Sequence, residues 1–111
     1  MIVTIWLSKR NLMQSKLGTY IGFAIRSGKV VFGYDNLFKS KKKVILVLYS
    51  LDLAEKMQIK LKTFCNDQKI DILPLENPNL SDIIKRDNCK VLGICDPELS
   101  KVIAKEITQQ N

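Results

Sequence analysis

A chain of 111 residues, 46% hydrophobic and 26% charged, is long enough for one domain with its own core and too apolar to be disordered. Its net charge of +7 is uneven: residues 1–43 hold nine Lys/Arg and one acid, Asp35, whereas residues 44–111 hold nine Lys/Arg and ten acids. Such asymmetry favours a polyanionic partner, and the scattered Cys65, Cys89 and Cys95 with no histidine argue against a disulfide framework or a structural zinc site. They fit a reducing, cytoplasmic setting.

The opening Met1–Leu7 is apolar but too short to span a membrane, and it lacks the leading charge and cleavage site of a signal peptide. Residues 1–8 are therefore read as an N-terminal extension of unknown role, and residues 9–111 as a single domain. Lys9 to Ser27 places Leu17, Ile21, Ala24 and Ile25 at helical spacing, and Gly28 is suited to a left-handed cap. Gly18 and Gly22, four apart, would let this helix approach a sheet closely. Lys29–Phe32 predicts a first strand and Asp35 to about Lys41 a second helix, with Gly33 as the turn between them.

Val44–Tyr49 is a continuous apolar run, the pattern of a strand covered on both faces. Ser50 or Asp52 can cap the next helix, whose stripe is Leu53, Met57, Leu61, Phe64 and Cys65. Ile70–Leu75 predicts a third strand broken by Pro74, Leu80–Lys85 a short helix around Ile83 and Ile84, and Lys90–Cys95 a fourth strand. Asp96-Pro-Glu98 opens a final helix with an acidic cap and a proline in its first turn. Alternating helices and strands predict a three-layer α/β/α domain with a mainly parallel sheet.

The stretch Arg26 to Lys43 packs a helix stop, a strand, a glycine turn, a helix start and a lysine cluster into 18 residues. Gly33 at a helix mouth is a place where backbone N–H groups can meet phosphate or a base edge. Asn36 offers both donor and acceptor, and Asp35 accepts from guanine N–H groups. Asp35 is equally suited to capping the helix. Gly28 and Gly33 are also ordinary turn residues, Lys41–Lys43 has the composition of a solvated loop, and Tyr34 and Phe38, the latter on the inner side, suit packing.

From about Leu17 to Ile107 the chain resembles the kink-turn RNA-binding family, which includes the large-subunit ribosomal proteins seven-Ae and thirty-e and bacterial YlxQ-type relatives. The resemblance is carried by Ile21-Gly-Phe-Ala-Ile-Arg-Ser-Gly-Lys-Val-Val-Phe-Gly33, by Val44–Tyr49, and by Leu80–Ile94 followed by Cys95-Asp-Pro-Glu98. It implies a four-stranded mixed sheet in order 1-4-2-3 with the last strand antiparallel, and a cytoplasmic, ribosomal or ribosome-associated protein without enzymatic activity or cofactor. Its implied partners are structured RNA and neighbouring ribosomal proteins, with no membrane role.

In the family, Gly-Thr-Asn-Glu and a later lysine read tandem sheared G·A pairs and phosphate. Gly33, Tyr34, Asp35, Asn36 and Lys39 occupy those positions here, with Asp35 and Asn36 keeping polar chemistry but not the same residues. Lys43 is a further expected phosphate contact. The second family contact is the loop before the last strand, here Arg86-Asp-Asn-Cys89, so that Arg86, Asn88 and Cys89 join the candidate site. Ser81 and Lys85 replace the glycines that flank this loop in relatives. Asp52 matches the acid after the second strand, and Leu51 replaces the glutamate before it. Two other readings stay open: a protein-interaction module whose basic face meets an acidic partner, and a small α/β enzyme. The second is disfavoured because the chain has neither a GxGxxG nor a Walker lysine motif.

Overall fold

The computed structural model of the protein describes residues 17–75 and 89–110. Helix α1, described over 17–26, buries Leu17, Ile21 and Ala24 along one stripe. It stops as its sequence predicts. Gly28 takes a φ of 70°, its N–H donates to the Ile25 carbonyl at 3.0 Å, and the Lys29 N–H donates to the Ala24 carbonyl at 2.9 Å. That pair of reversed bonds satisfies carbonyls that the end of a helix leaves open. Gly22 does not make the close approach expected of it, because a Cβ there would meet nothing within 4 Å. The small residue in the packed stripe is Ala24.

Strand β1 (Val30–Phe32) leads through Gly33 into α2 (Tyr34–Lys39), followed by β2 (Leu46–Ser50), α3 (Glu55–Gln68), β3 (Asp71–Leu75), β4 (Val91–Ile94) and α4 (Pro97–Gln110). The sheet order is β1-β4-β2-β3, as the family resemblance implied. β2 and β3 pair in parallel, and β4 lies antiparallel to both β1 and β2. Three strands thus share a direction, yet the late strand enters between two of them and makes most neighbouring pairs antiparallel.

Alternation along the strands divides the core. Leu46, Leu48, Leu92 and Ile94 join Leu17, Ile21 and Ala24 of α1 and Ile103 and Ile107 of α4. On the other face, Val31, Val47, Tyr49 and Val91 pack with Leu37 of α2 and Leu61 and Cys65 of α3. The central β2 is buried throughout, as its unbroken apolar run predicted. Two helical layers therefore sandwich the sheet.

Local chemistry differs from expectation at three places. Pro74 does not break β3; it pairs opposite Tyr49 on an edge strand, where a residue without an N–H is tolerated. Neither Ser50 nor Asp52 caps α3. Its N-cap is Ala54, and the Gln58 side chain turns back so that Nε2 donates to the Leu51 and Leu53 carbonyls at 3.1 and 2.7 Å. At the other end of α3, Lys69 takes the left-handed conformation (φ 59°) that glycine usually supplies. Asp96 does cap α4: its Oδ1 accepts from the Glu98 and Leu99 N–H groups at 2.9 and 3.2 Å. The expected extension over residues 1–8, the start of the first helix and the short helix at Leu80–Lys85 lie outside the described residues.

Candidate nucleic-acid interface

Gly33 ends the β1–β4 ladder and begins α2 at the same time. Its N–H donates to the Val91 carbonyl at 2.9 Å, and its own carbonyl accepts the Leu37 N–H at 3.1 Å. Doing both requires φ 79° and ψ 155°, a backbone region essentially restricted to glycine. The turn places Tyr34, Asp35 and Asn36 in an exposed first helical turn. No side chain caps α2, so Asp35 is not its cap but a first-turn acid beside the positive end of a six-residue helix. Asn36 is tethered: its Nδ2 donates to the Phe32 carbonyl at 2.9 Å. The amide keeps one further N–H and its oxygen for another partner.

The position of α2 depends on two packing contacts. Leu37 lies close over Gly93 of β4, where an added Cβ would come within 3.0 Å of Leu37 Cδ1. Phe38 meets Phe64 of α3 edge-on at 4.9 Å between centroids, and Tyr34 stands 6.2 Å from Phe38. Phe38 is therefore the packing residue that its sequence position suggested, and Tyr34 is the exposed end of this aromatic row.

Around the Gly33 turn lies a hollow of about 250 Å³ lined by Phe32, Gly33, Tyr34, Asp35, Asn36, Leu53, Lys90 and Val91. Lys90 is absent from the site read in the sequence, where it only opened the fourth strand. Its carbonyl accepts the Ser50 N–H at 2.9 Å, and its Nζ is 3.6 Å from Asp52 Oδ2. Those contacts join the chain before β4 to the turn after β2. The available signal was its place directly after the candidate Arg86–Cys89 loop and before an apolar run. Cys89, half-buried, also sits at this end and directs its thiol to the Val91 carbonyl at 3.5 Å. Arg86 and Asn88 lie outside the described residues.

The lysine cluster falls elsewhere. Strand register aligns Gly33 with Val91 and Tyr49 in one row, and Lys29 with Cys95 and Ile45 in another. Four residues of strand separate these rows, about 13 Å. Helix α2 runs back from the first row towards the second, so Lys41–Lys43 emerge at the Lys29 end. There Lys42 Nζ donates to the Gly28 carbonyl at 3.0 Å. The expected convergence of glycine turn, polar pair and lysine run at one corner is therefore not how the chain folds. Lys39, exposed in the last turn of α2, lies between the two ends.

Burial pushes the Cys65 thiol up to about 11. It also raises Cys95, with Lys42 acting in the opposite sense. Among the described residues no group of three or more His, Cys, Asp or Glu is placed to hold a metal ion, and no helix is long and apolar enough to cross a membrane.

No family profile matches the chain. No curated protein matches it either. Solved structures do match: a protein of unknown function from Bacillus halodurans has a TM-score of 0.75 at 25% sequence identity, over 84% of this chain and 97% of that one. The chain is thus similar in fold, over most of its length, to that protein.

Proposed function

We propose that the protein binds structured RNA, of a kinked or internal-loop kind, at the Gly33 end of the sheet, as a cytoplasmic ribosomal or ribosome-associated component. The observation that carries this reading is the shared hollow, where the tethered Asn36 amide, the Asp35 carboxylate and the Lys90 ammonium surround one glycine turn. Asn36 and Asp35 supply hydrogen-bonding groups for guanine edges. Lys90 and Lys39 supply positive charge for the backbone on either side. A plain A-form duplex hides its major-groove base edges in a deep, narrow groove, so exposed purines of an internal loop suit this surface better. The excess positive charge of the first 43 residues suits a polyanionic partner, RNA among them. The reading is of a binding protein, not an enzyme, and it involves no cofactor.

Affinities for an internal-loop RNA and a plain duplex of equal length, measured at matched salt, test this. Preference for the internal loop supports edge reading; equal affinity overturns it. Nuclease-treated purification that yields a stoichiometric acidic protein in place of RNA would favour an interaction module.

A further inference from the structure

A further hollow, of about 510 Å³, lies at the opposite end of the sheet from Gly33. Its floor is apolar: Leu37, Val44, Phe64 and Ile70 are buried or half-buried there. Its rim carries Lys42, Lys43 and Lys69 against one acid, Asp71. The volume falls in the range of small-molecule sites, roughly 300–1,000 Å³. An apolar floor, reached through half-buried Val44, Phe64 and Ile70, under a lysine rim suits a ligand with an apolar ring at one end and phosphate at the other.

Lys69 adds an independent observation. It is the only non-glycine residue with positive φ among the described residues, at a helix end where glycine would be unstrained. A glycine there would give a better cap and no charge. The strained residue at this rim is a lysine.

From this geometry we infer that the protein has a second binding site, for a phosphate-bearing nucleotide, formed by Lys43 and Lys69 over the Leu37–Phe64 floor. The phosphate is held by the two exposed ammonium groups; Lys42 lines the same rim, with its own ammonium committed to the Gly28 carbonyl. The base rests on the apolar floor. Free nucleotide and the phosphorylated end of an RNA present the same chemistry. The site does not rest on the RNA reading of the Gly33 end.

Titration calorimetry with ADP, adenosine and inorganic phosphate tests the site on the full chain, alongside a short RNA bearing either a 5′-phosphate or a 5′-hydroxyl. ADP should bind more tightly than adenosine or phosphate alone. Lys43→Ala and Lys69→Gly should each weaken it roughly fivefold to tenfold. Lys69→Gly is the decisive variant, because it relieves the backbone and keeps the fold while removing the charge. If ADP does not bind but both variants selectively weaken the 5′-phosphorylated RNA, the site takes an RNA end. Equal binding of ADP and adenosine overturns the inference. So does an affinity for both phosphorylated probes that is absent, or unchanged in the two variants.

Discussion

Lys90 Nζ and Asp52 Oδ2 stand 3.6 Å apart across the Gly33 end of the sheet, closing the turn after β2 against the chain that enters β4. Both side chains are substantially exposed, at 39% and 59%. As an exposed pair it contributes about 0–1 kcal/mol to stability. Asp52→Ala should therefore leave the thermal midpoint nearly unchanged while freeing Lys90. On the RNA reading, Lys90→Ala weakens all RNA targets alike and flattens the salt dependence by about one unit of slope. An unchanged slope would remove Lys90 from the interface.

Asn36→Ala should behave differently from the lysine changes. On the RNA reading it removes an amide that reads base edges and should cost about 1–3 kcal/mol for the preferred RNA, by analogy with direct base readout. The salt slope should stay the same. Parallel titrations with a scrambled RNA check this, and an equal loss on both RNAs would contradict it.

Gly33→Ala should destabilise the fold by about 1–3 kcal/mol, the usual size of a strained backbone position. An added Cβ would meet nothing within 4 Å, so the cost is conformational and not a clash. Urea denaturation at fixed pH measures it. A neutral result would show that the turn can relax without breaking the Val91 rung.

Lys69→Gly should raise stability by about 0.5–1 kcal/mol, because glycine adopts the left-handed cap of α3 without the Cβ penalty. The bonds from Lys69 N–H to the Asn66 carbonyl and from Ile70 N–H to the Cys65 carbonyl stay in place. A lower denaturation midpoint would mean that the lysine stem contributes packing that its exposure conceals.

Asp96 predicts a pH dependence. The Leu99 N–H is the largest influence and holds its carboxyl below the usual aspartate range; burial opposes it, and the Glu98 N–H and the Lys29 ammonium add to the lowering. Lys29 Nζ lies 3.4 Å from its Oδ2. A folded value below the unfolded one means stability that is present above the unfolded aspartate range and lost as pH falls through the folded value. Thermal midpoints followed from neutral pH into that range should fall more steeply for the native chain than for Asp96→Asn. Superimposable profiles would show that the cap is not linked to protonation.

Much of the fold is legible locally. The stripe Leu17, Ile21, Ala24 and the run Val44–Tyr49 announce their burial by spacing alone. Gly28 and Asp96 announce the end of α1 and the start of α4, because the bonds made there reach only two to five residues along the chain. Capping of α3 was misread because Gln58, not the residues before the helix, satisfies the carbonyls of the preceding turn. Gly22 was misread because a glycine spacing does not say which side of a helix meets the sheet.

The sequence by itself therefore determined the elements, their apolar faces and the glycine turn at residue 33, since each follows from the reach of a helical turn or the alternation of a strand. Only the tertiary structure decided which of these meet. The register that sets Gly33 against Val91, and Ser50 against Lys90, brings Lys90 to the Asn36 end. The short return path of α2 carries Lys41–Lys43 to the other end. Both outcomes depend on hydrogen bonds between strands about 40 to 66 residues apart in the chain, and no local pattern of side chains encodes which rungs they will share.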